Sequence, residues 1–359
     1  MTPCFNVALV GYGYAGNTFH APLIAAEPRL HLAAVVSRDA AKVRADFPDM
    51  RVEADIAVVL ADPGIDLVVI ATPNDSHAPL AHTAIDAGKA VVVDKPLALT
   101  LAEGRGIADH AARRGTLLSV FHNRRWDGDF LTLQRMIGEG QIGQVAHFES
   151  HFDRFRPVVR NRWRENPGPG SGVWADLGPH LVDQALCLFG MPERVMASVG
   201  TLRDGAQTDD WAHVVLEYPR LRCVLHAGML VAGGSPRFVV HGDKGSIVTH
   251  GLDPQEGQLV GGMRPGAADW GYNGAVLDLF DGDGIKTALP IAAGDYPRFY
   301  ADIAAALGGA APPVNVAQAL DVMAVVEAAA RAANCGVAQS VTSFSPGGLQ
   351  GLHSPESKV

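Results

Sequence analysis

Residues 6–16, "NVALVGYGYAG", limit the fold more than any other stretch: an apolar run that stops on three closely spaced glycines. A strand with no polar face belongs inside a parallel sheet covered by helices on both sides. The helix-like "FHAPLIAAE" follows, and the alternation then repeats. "LHLAAVVS", "IDLVVIATP", "AVVVDKP" and "LLSVFHN" read as strands, separated by "DAAKVRADF", "HAPLAHTAIDAG" and "LAEGRGIADHAARRG" as helices. This pattern predicts an α/β fold with a doubly wound parallel sheet over residues 1–122.

Ligands of such sheets bind beyond the carboxyl ends of the strands, so the polar residues there are the first candidates. Gly11, Gly13 and Gly16, with Tyr14 among them, have the G-x-G-x-x-G spacing of a Rossmann-type dinucleotide turn. The first glycine allows the tight turn, the second lets a diphosphate approach the backbone, and the third lets helix and strand pack closely. Ser37 and Arg38 end the second strand, where NAD enzymes usually carry an acid and NADP enzymes an Arg. This favours NADP. NAD stays open, because Asp39 is one position away and serves equally as a helix N-cap. Thr72 and Asn74 end the third strand, Lys95 the fourth and Asn123 the last. Lys95 lies between Asp94 and Pro96, and a fixed ammonium there polarises a substrate hydroxyl or carbonyl.

A second candidate lies in "WADLGPHLVDQALCLFG", residues 174–190. Gly178-Pro179 reads as the start of a helix, since proline is favoured at the first helical position. Asp176 and His180 then flank that start, either as cap and surface histidine or as a catalytic pair. Gly190 is the expected stop.

In this order "GYGYAG", "ATPNDSH", "VVVDKP" and "WADLGPHLVD" resemble the glucose–fructose oxidoreductase/inositol dehydrogenase/rhizopine catabolism (Gfo/Idh/MocA) family, over nearly the whole chain to about residue 335. The usual Glu-Lys-Pro motif has Asp94 in place of Glu, and Asp-x-Gly-x-His is matched by Asp176, Gly178 and His180. "FHNRRWDGDFLTL", "ESHFDRFRP" and "GPGSG" look closest to the bacterial scyllo-inositol dehydrogenase branch. The resemblance implies a nicotinamide-dependent oxidoreductase acting on a secondary alcohol of a cyclic polyol or sugar. In it His180 is the general acid/base, Asp176 orients substrate or imidazole, and Lys95 holds the reacting oxygen. It also places the turn with Asn74 and His77 near the nicotinamide ribose, a helix-start histidine with no role being the equal alternative for His77, and Trp163 and Arg164 near the cofactor; Asn123, ending the last strand, is a candidate for the substrate or the carboxamide. Asp153 and Arg154 are substrate candidates, with a structural ion pair as the alternative.

From residue 123 to 337 short strand-like runs such as "DWAHVVLEYP" and "RCVLHAGMLVA" predict an α+β domain with a large, mostly antiparallel sheet. Its outer face needs cover, and the family resemblance implies a homodimer or homotetramer through it. The late helices are expected to return to the first domain, and residues 338–359 read as a loose tail. A net charge of -9 leaves no basic face for nucleic acid. The four scattered cysteines fit a reducing cytosol, and the N-terminus shows no signal peptide. No apolar run is long enough for a bilayer, and no histidine pair has ligand spacing, so neither membrane nor metal is expected. The rivals are a biliverdin- or dihydrodiol-type enzyme on the same fold, and a non-catalytic NADP-binding sensor.

Overall fold

The computed structural model describes residues 3–345. Two compact units emerge among the described residues: residues 3–127, 254–271 and 294–319 form the first, and residues 128–253, 272–293 and 320–345 the second.

The first unit is built on six strands: β1 (Phe5–Val10), β2 (Leu30–Val36), β3 (Val52–Glu53), β4 (Leu67–Ile70), β5 (Ala90–Asp94) and β6 (Leu118–Phe121). They run parallel in the order β3-β2-β1-β4-β5-β6. The order reverses between β1 and β4, the switch point at which such sheets bind ligands. Every residue of β4 and β6 is buried; the β4 run is wholly apolar, and the one polar residue of β6, Ser119, donates to the Val314 carbonyl at 2.7 Å. The connecting helices are α1 (Ala21–Ala26), α2 (Ala40–Asp46), α3 (Ile56–Leu60), α4 (His77–Asp86) and α5 (Leu101–Arg114). Helix α5 shows how local chemistry sets its ends. Thr100 and Glu103 form a reciprocal capping box, and Gly115 stops the helix at φ 64°.

The second unit opens with α6 (Gly128–Gly138), β7 (Val145–His151) and α7 (Val173–Phe189). It continues with β8 (Arg194–Gly200), β9 (Trp211–Glu217), β10 (Arg222–Gly228), β11 (Pro236–Gly242) and β12 (Gly245–His250). Helix α8 (Gln255–Val260) belongs to the first unit, β13 (Val276–Asp281) and β14 (Lys286–Pro290) to the second, and α9 (Pro297–Leu307) to the first. Helix α10 (Val316–Cys335) and β15 (Gln339–Ser340) are the last elements among the described residues. The nine strands form one sheet in the order β14-β13-β12-β11-β7-β10-β9-β8-β15, with only the β7–β10 pair parallel. Burial alternates strictly along β9, so one face is core and the other is not. Leu181, Leu186 and Leu188 of α7 are fully buried against that core with Phe148, Leu225 and Phe238. Truncating any of these leucines to alanine removes about 2–5 kcal/mol.

Of the segment read as a loose tail, Gln339 and Ser340 pair with β8, and Ser343 and Ser345 donate to the Asp321 carboxylate. Residues 346–359 lie outside the described residues. Among the described residues no helix is long and apolar enough to cross a membrane.

Helix α7 corrects the expected start at Pro179. It begins six residues earlier, at Val173, and runs through the proline. Asp209 makes the early start possible: its carboxylate accepts the Trp174 N–H at 2.7 Å, and its backbone carbonyl accepts that of Val173 at 2.8 Å. Gly178 removes the Cβ that a residue before proline would press against the ring. A Cβ there would also lie 2.8 Å from the Trp174 indole, so this glycine lets the indole lie against the helix.

Candidate active site

The first unit supplies the nucleotide cradle. Gly11 has φ +97° and sits so close to β4 that a Cβ would lie 2.5 Å from the Ala71 carbonyl oxygen. At Gly16 a Cβ would collide with the Gly11 carbonyl oxygen, which ties the turn to the helix behind it. Gly13 is the opposite case. Nothing lies within 4 Å of the position its Cβ would take, so bare backbone faces open space. The chain then winds through a π turn, Gly16–His20, into α1, and no side chain caps its start. Open amides with no cap fit a diphosphate. Tyr14 is 56% exposed, and its hydroxyl donates to Glu256 at 2.9 Å.

At the end of β2, Asp39 accepts the Lys42 N–H at 3.0 Å and caps α2. Ser37 is half-buried beside it and Arg38 is exposed. Sequence patterns alone did not single out Lys42. Its ammonium donates to the Tyr12 carbonyl at 3.1 Å, which puts a cation against the glycine turn. Burial and Asp46 push the Tyr12 phenol up to about 12, so it stays protonated.

The turn after β4 carries Thr72 and Asn74, and Ser76 donates to the Thr72 hydroxyl at 2.7 Å. His77 departs from the cofactor-binding expectation. It is fully buried, with Nδ1 2.7 Å from the Pro96 carbonyl and Nε2 2.9 Å from the Thr72 carbonyl. No edge of the ring is left for a ligand. The imidazole braces the β4 turn against the segment holding Lys95. Lys95 itself directly follows β5, with its backbone N–H on the Asp94 carboxylate at 2.9 Å. Asn123 is buried at the start of a short 3-10 turn after β6.

The second unit holds the two acid/base candidates. Asp176 and His180 stand one turn apart on α7, four residues being about one helical turn. Because Asp209 satisfies the helix start, Asp176 is not spent as a cap. Its carboxylate pairs with Arg164 Nε at 3.1 Å and keeps 17% side-chain exposure. His180 is buried at 7%. The loop bearing Trp163 and Arg164 is pinned by Glu165, which accepts from the Arg160 N–H at 3.0 Å and from Arg162 at 2.6 Å and pairs with Arg203 at 3.1 Å. Burial would raise the Glu165 carboxyl, but these partners outweigh it and hold it down at about 2. Asp153 accepts from Ser235 at 2.5 Å and faces His151 and His226 at 3.4 and 3.5 Å, so its carboxylate is engaged within the sheet. The Arg154 guanidinium lies 5.0 Å over the Phe152 ring.

Residues 5–122 match the family described as "Oxidoreductase family, NAD-binding Rossmann fold", and residues 134–341 its "C-terminal alpha/beta domain". The chain belongs to the Gfo/Idh/MocA oxidoreductase family. This oxidoreductase is 51% identical over 331 residues to the uncharacterized oxidoreductase YdgJ of Escherichia coli, covering 91% of this chain and 96% of that one. It is 36% identical to the scyllo-inositol 2-dehydrogenase (NADP(+)) IolW of Bacillus subtilis, over 90% of this chain and 92% of the relative. Among solved structures, a Klebsiella pneumoniae oxidoreductase superposes with a TM-score of 0.90 at 53% identity, covering 94% and 95% of the two chains. The first unit therefore carries the NAD(P)-binding Rossmann domain of the family.

Proposed function

We propose that this oxidoreductase uses NADP to interconvert a secondary alcohol and a ketone on a cyclic polyol or sugar, with scyllo-inositol and scyllo-inosose as the leading pair. One observation carries the cofactor assignment. Asp39, the acid that would hold the ribose hydroxyls of NAD, commits one carboxylate oxygen to capping α2 and its backbone N–H to the Ser37 hydroxyl, while Arg38 beside it is exposed and placed to meet a 2′-phosphate. The Bacillus relative named as an NADP-linked scyllo-inositol dehydrogenase supports the substrate class.

The residues that would hold the cofactor are Gly11, Gly13 and Gly16 at the diphosphate and Ser37 with Arg38 at the adenosine ribose. When bound, NADP supplies a hydride acceptor at nicotinamide C4. The protein's own task is to place and deprotonate the alcohol. Lys95 holds the reacting oxygen and stabilises its growing negative charge. His180 takes the hydroxyl proton in oxidation and returns it in reduction, a task suited to a group that titrates near neutrality. Asp176, already aligned by Arg164, orients the hydroxyl or the imidazole.

The test is absorbance at the reduced-nicotinamide band, with scyllo-inositol, myo-inositol and several aldoses, each with NADP and with NAD. Turnover with an inositol and NADP is expected. Arg38→Ala should raise KM for NADP by about tenfold while leaving KM for NAD near its starting value, since it removes one charge-assisted contact. Turnover with NAD alone would make Asp39 the ribose ligand. Tight cofactor binding with no turnover on any of these substrates would sink the polyol assignment.

A further inference from the structure

Lys95 follows a carboxylate that is itself held from behind. His20 ends the π turn after the glycines and is fully buried. Its Nδ1 lies 2.6 Å from the hydroxyl of Tyr300, a buried residue of α9, and its ring packs 4.4 Å from that of Phe121. In the tautomer in which the phenol donates to Nδ1, the Nε2 edge carries the ring's N–H. That nitrogen faces Asp94: it stands 3.8 Å from Oδ1 and has no hydrogen-bond partner. The same Oδ1 accepts the Lys95 backbone N–H. Burying an imidazole and a phenol where apolar side chains would pack costs free energy unless their polar atoms are used.

We propose that His20 is a positioning residue for the reaction: held by Tyr300, it fixes the Asp94 carboxylate and thereby the backbone that carries Lys95. The inference rests on the role given to Lys95 above. Asp94 is faced by His20 from the π turn, Tyr300 from α9, Lys95 beside it and His77 from α4. Burial pushes the Asp94 carboxyl up, but His20, Lys95 and His77 outweigh it and keep it below the usual carboxylate range. Without His20 that carboxyl titrates at higher pH, so the acid limb of the kcat profile should move up. A glutamate at position 94 has one more methylene with which to close the 3.8 Å gap.

The experiment compares His20→Asn, Tyr300→Phe and Asp94→Glu with the unaltered enzyme. His20→Asn is expected to lower kcat on the order of tenfold, shift the acid limb upward and leave KM and the NADPH dissociation constant within about threefold. Tyr300→Phe should do the same to a smaller extent, and it covers the case in which His20→Asn does not fold. Asp94→Glu should move the acid limb down, opposite to His20→Asn. A second readout needs no turnover: lysines are dimethylated with 13C-formaldehyde, and the Lys95 methyl signal is assigned by its loss in Lys95→Arg. His20→Asn and Tyr300→Phe should shift that signal toward the position of solvent-exposed lysines. An unmoved acid limb together with an unmoved Lys95 signal overturns the proposal. Unchanged turnover in Lys95→Ala would instead overturn the catalytic role of Lys95, and the methyl signal would still decide whether His20 positions it.

Discussion

The turn after β1 and the start of α7 both carry functional groups at the beginning of a helix, and they do so by opposite means. After β1 no side chain caps the helix, and the backbone at Gly13 faces open space. At α7 the carboxylate and carbonyl of Asp209 occupy the Trp174 and Val173 amides, so the first two helical N–H groups are already engaged. The first start has the makings of an anion cradle built from amides. The second is a rigid platform that presents side chains, Asp176 and His180, one turn apart.

The largest test of that contrast removes the side chains. Lys95→Ala and His180→Ala are expected to lower kcat by about 10²–10⁴-fold, the usual worth of a positioned proton-transfer group. NADPH affinity, measured by fluorescence titration, should stay within a few-fold. Equal loss of turnover and binding would show that these residues hold the fold rather than perform chemistry.

Next comes the cradle. Gly11→Ala places a methyl 2.5 Å from the Ala71 carbonyl oxygen at φ +97°, and should destabilise the fold by about 3 kcal/mol with loss of cofactor binding. Gly13→Ala meets nothing within 4 Å, so its melting temperature should hold while NADPH binding weakens by about tenfold or more. Normal binding in Gly13→Ala would mean that the open backbone is not where the diphosphate sits.

The platform has its own weak point at low pH. Glu165 is held at about 2 against an ordinary 4.5, so its stabilising effect is complete above pH 4.5 and lost as pH falls through that window toward 2. Thermal melts between pH 5 and 3 should show a steeper loss for the unaltered chain than for Glu165→Gln. At neutral pH that variant should be less stable by about 3 kcal/mol, through loss of a buried ion-pair partner. The smallest effect is expected from Asp209→Ala. It frees the start of α7 at a cost of about 1–2 kcal/mol, read from urea denaturation.

The parallel sheet and the glycine turn were legible because both follow from short-range rules. Unbroken apolar runs such as "LVVI" need cover on both faces, and the G-x-G-x-x-G spacing serves one backbone geometry. Asp176 and His180 were legible as a pair, but not their setting. The partner that starts α7, Asp209, lies 33 residues after Asp176, and no local pattern links them. His77 illustrates the reverse limit. Its place after β4 was correct, yet what its two ring nitrogens meet depends on Pro96, brought there by the β4–β5 pairing. His20 carried a faint signal, a histidine on an otherwise apolar helix face, with no hint of its partner 280 residues away.

The sequence by itself determined the parallel sheet, the nucleotide turn, the candidate lysine and the Asp176–His180 spacing, because each depends on neighbours within about one helical turn or one strand. Only the tertiary structure decided that Asp39 caps α2, that Asp209 rather than Pro179 starts α7, and that Tyr300 and His20 stand behind Asp94. Those are contacts between groups distant in sequence or between alternative local partners. Hydrogen-bond geometry and burial choose among them only after the chain has closed on itself.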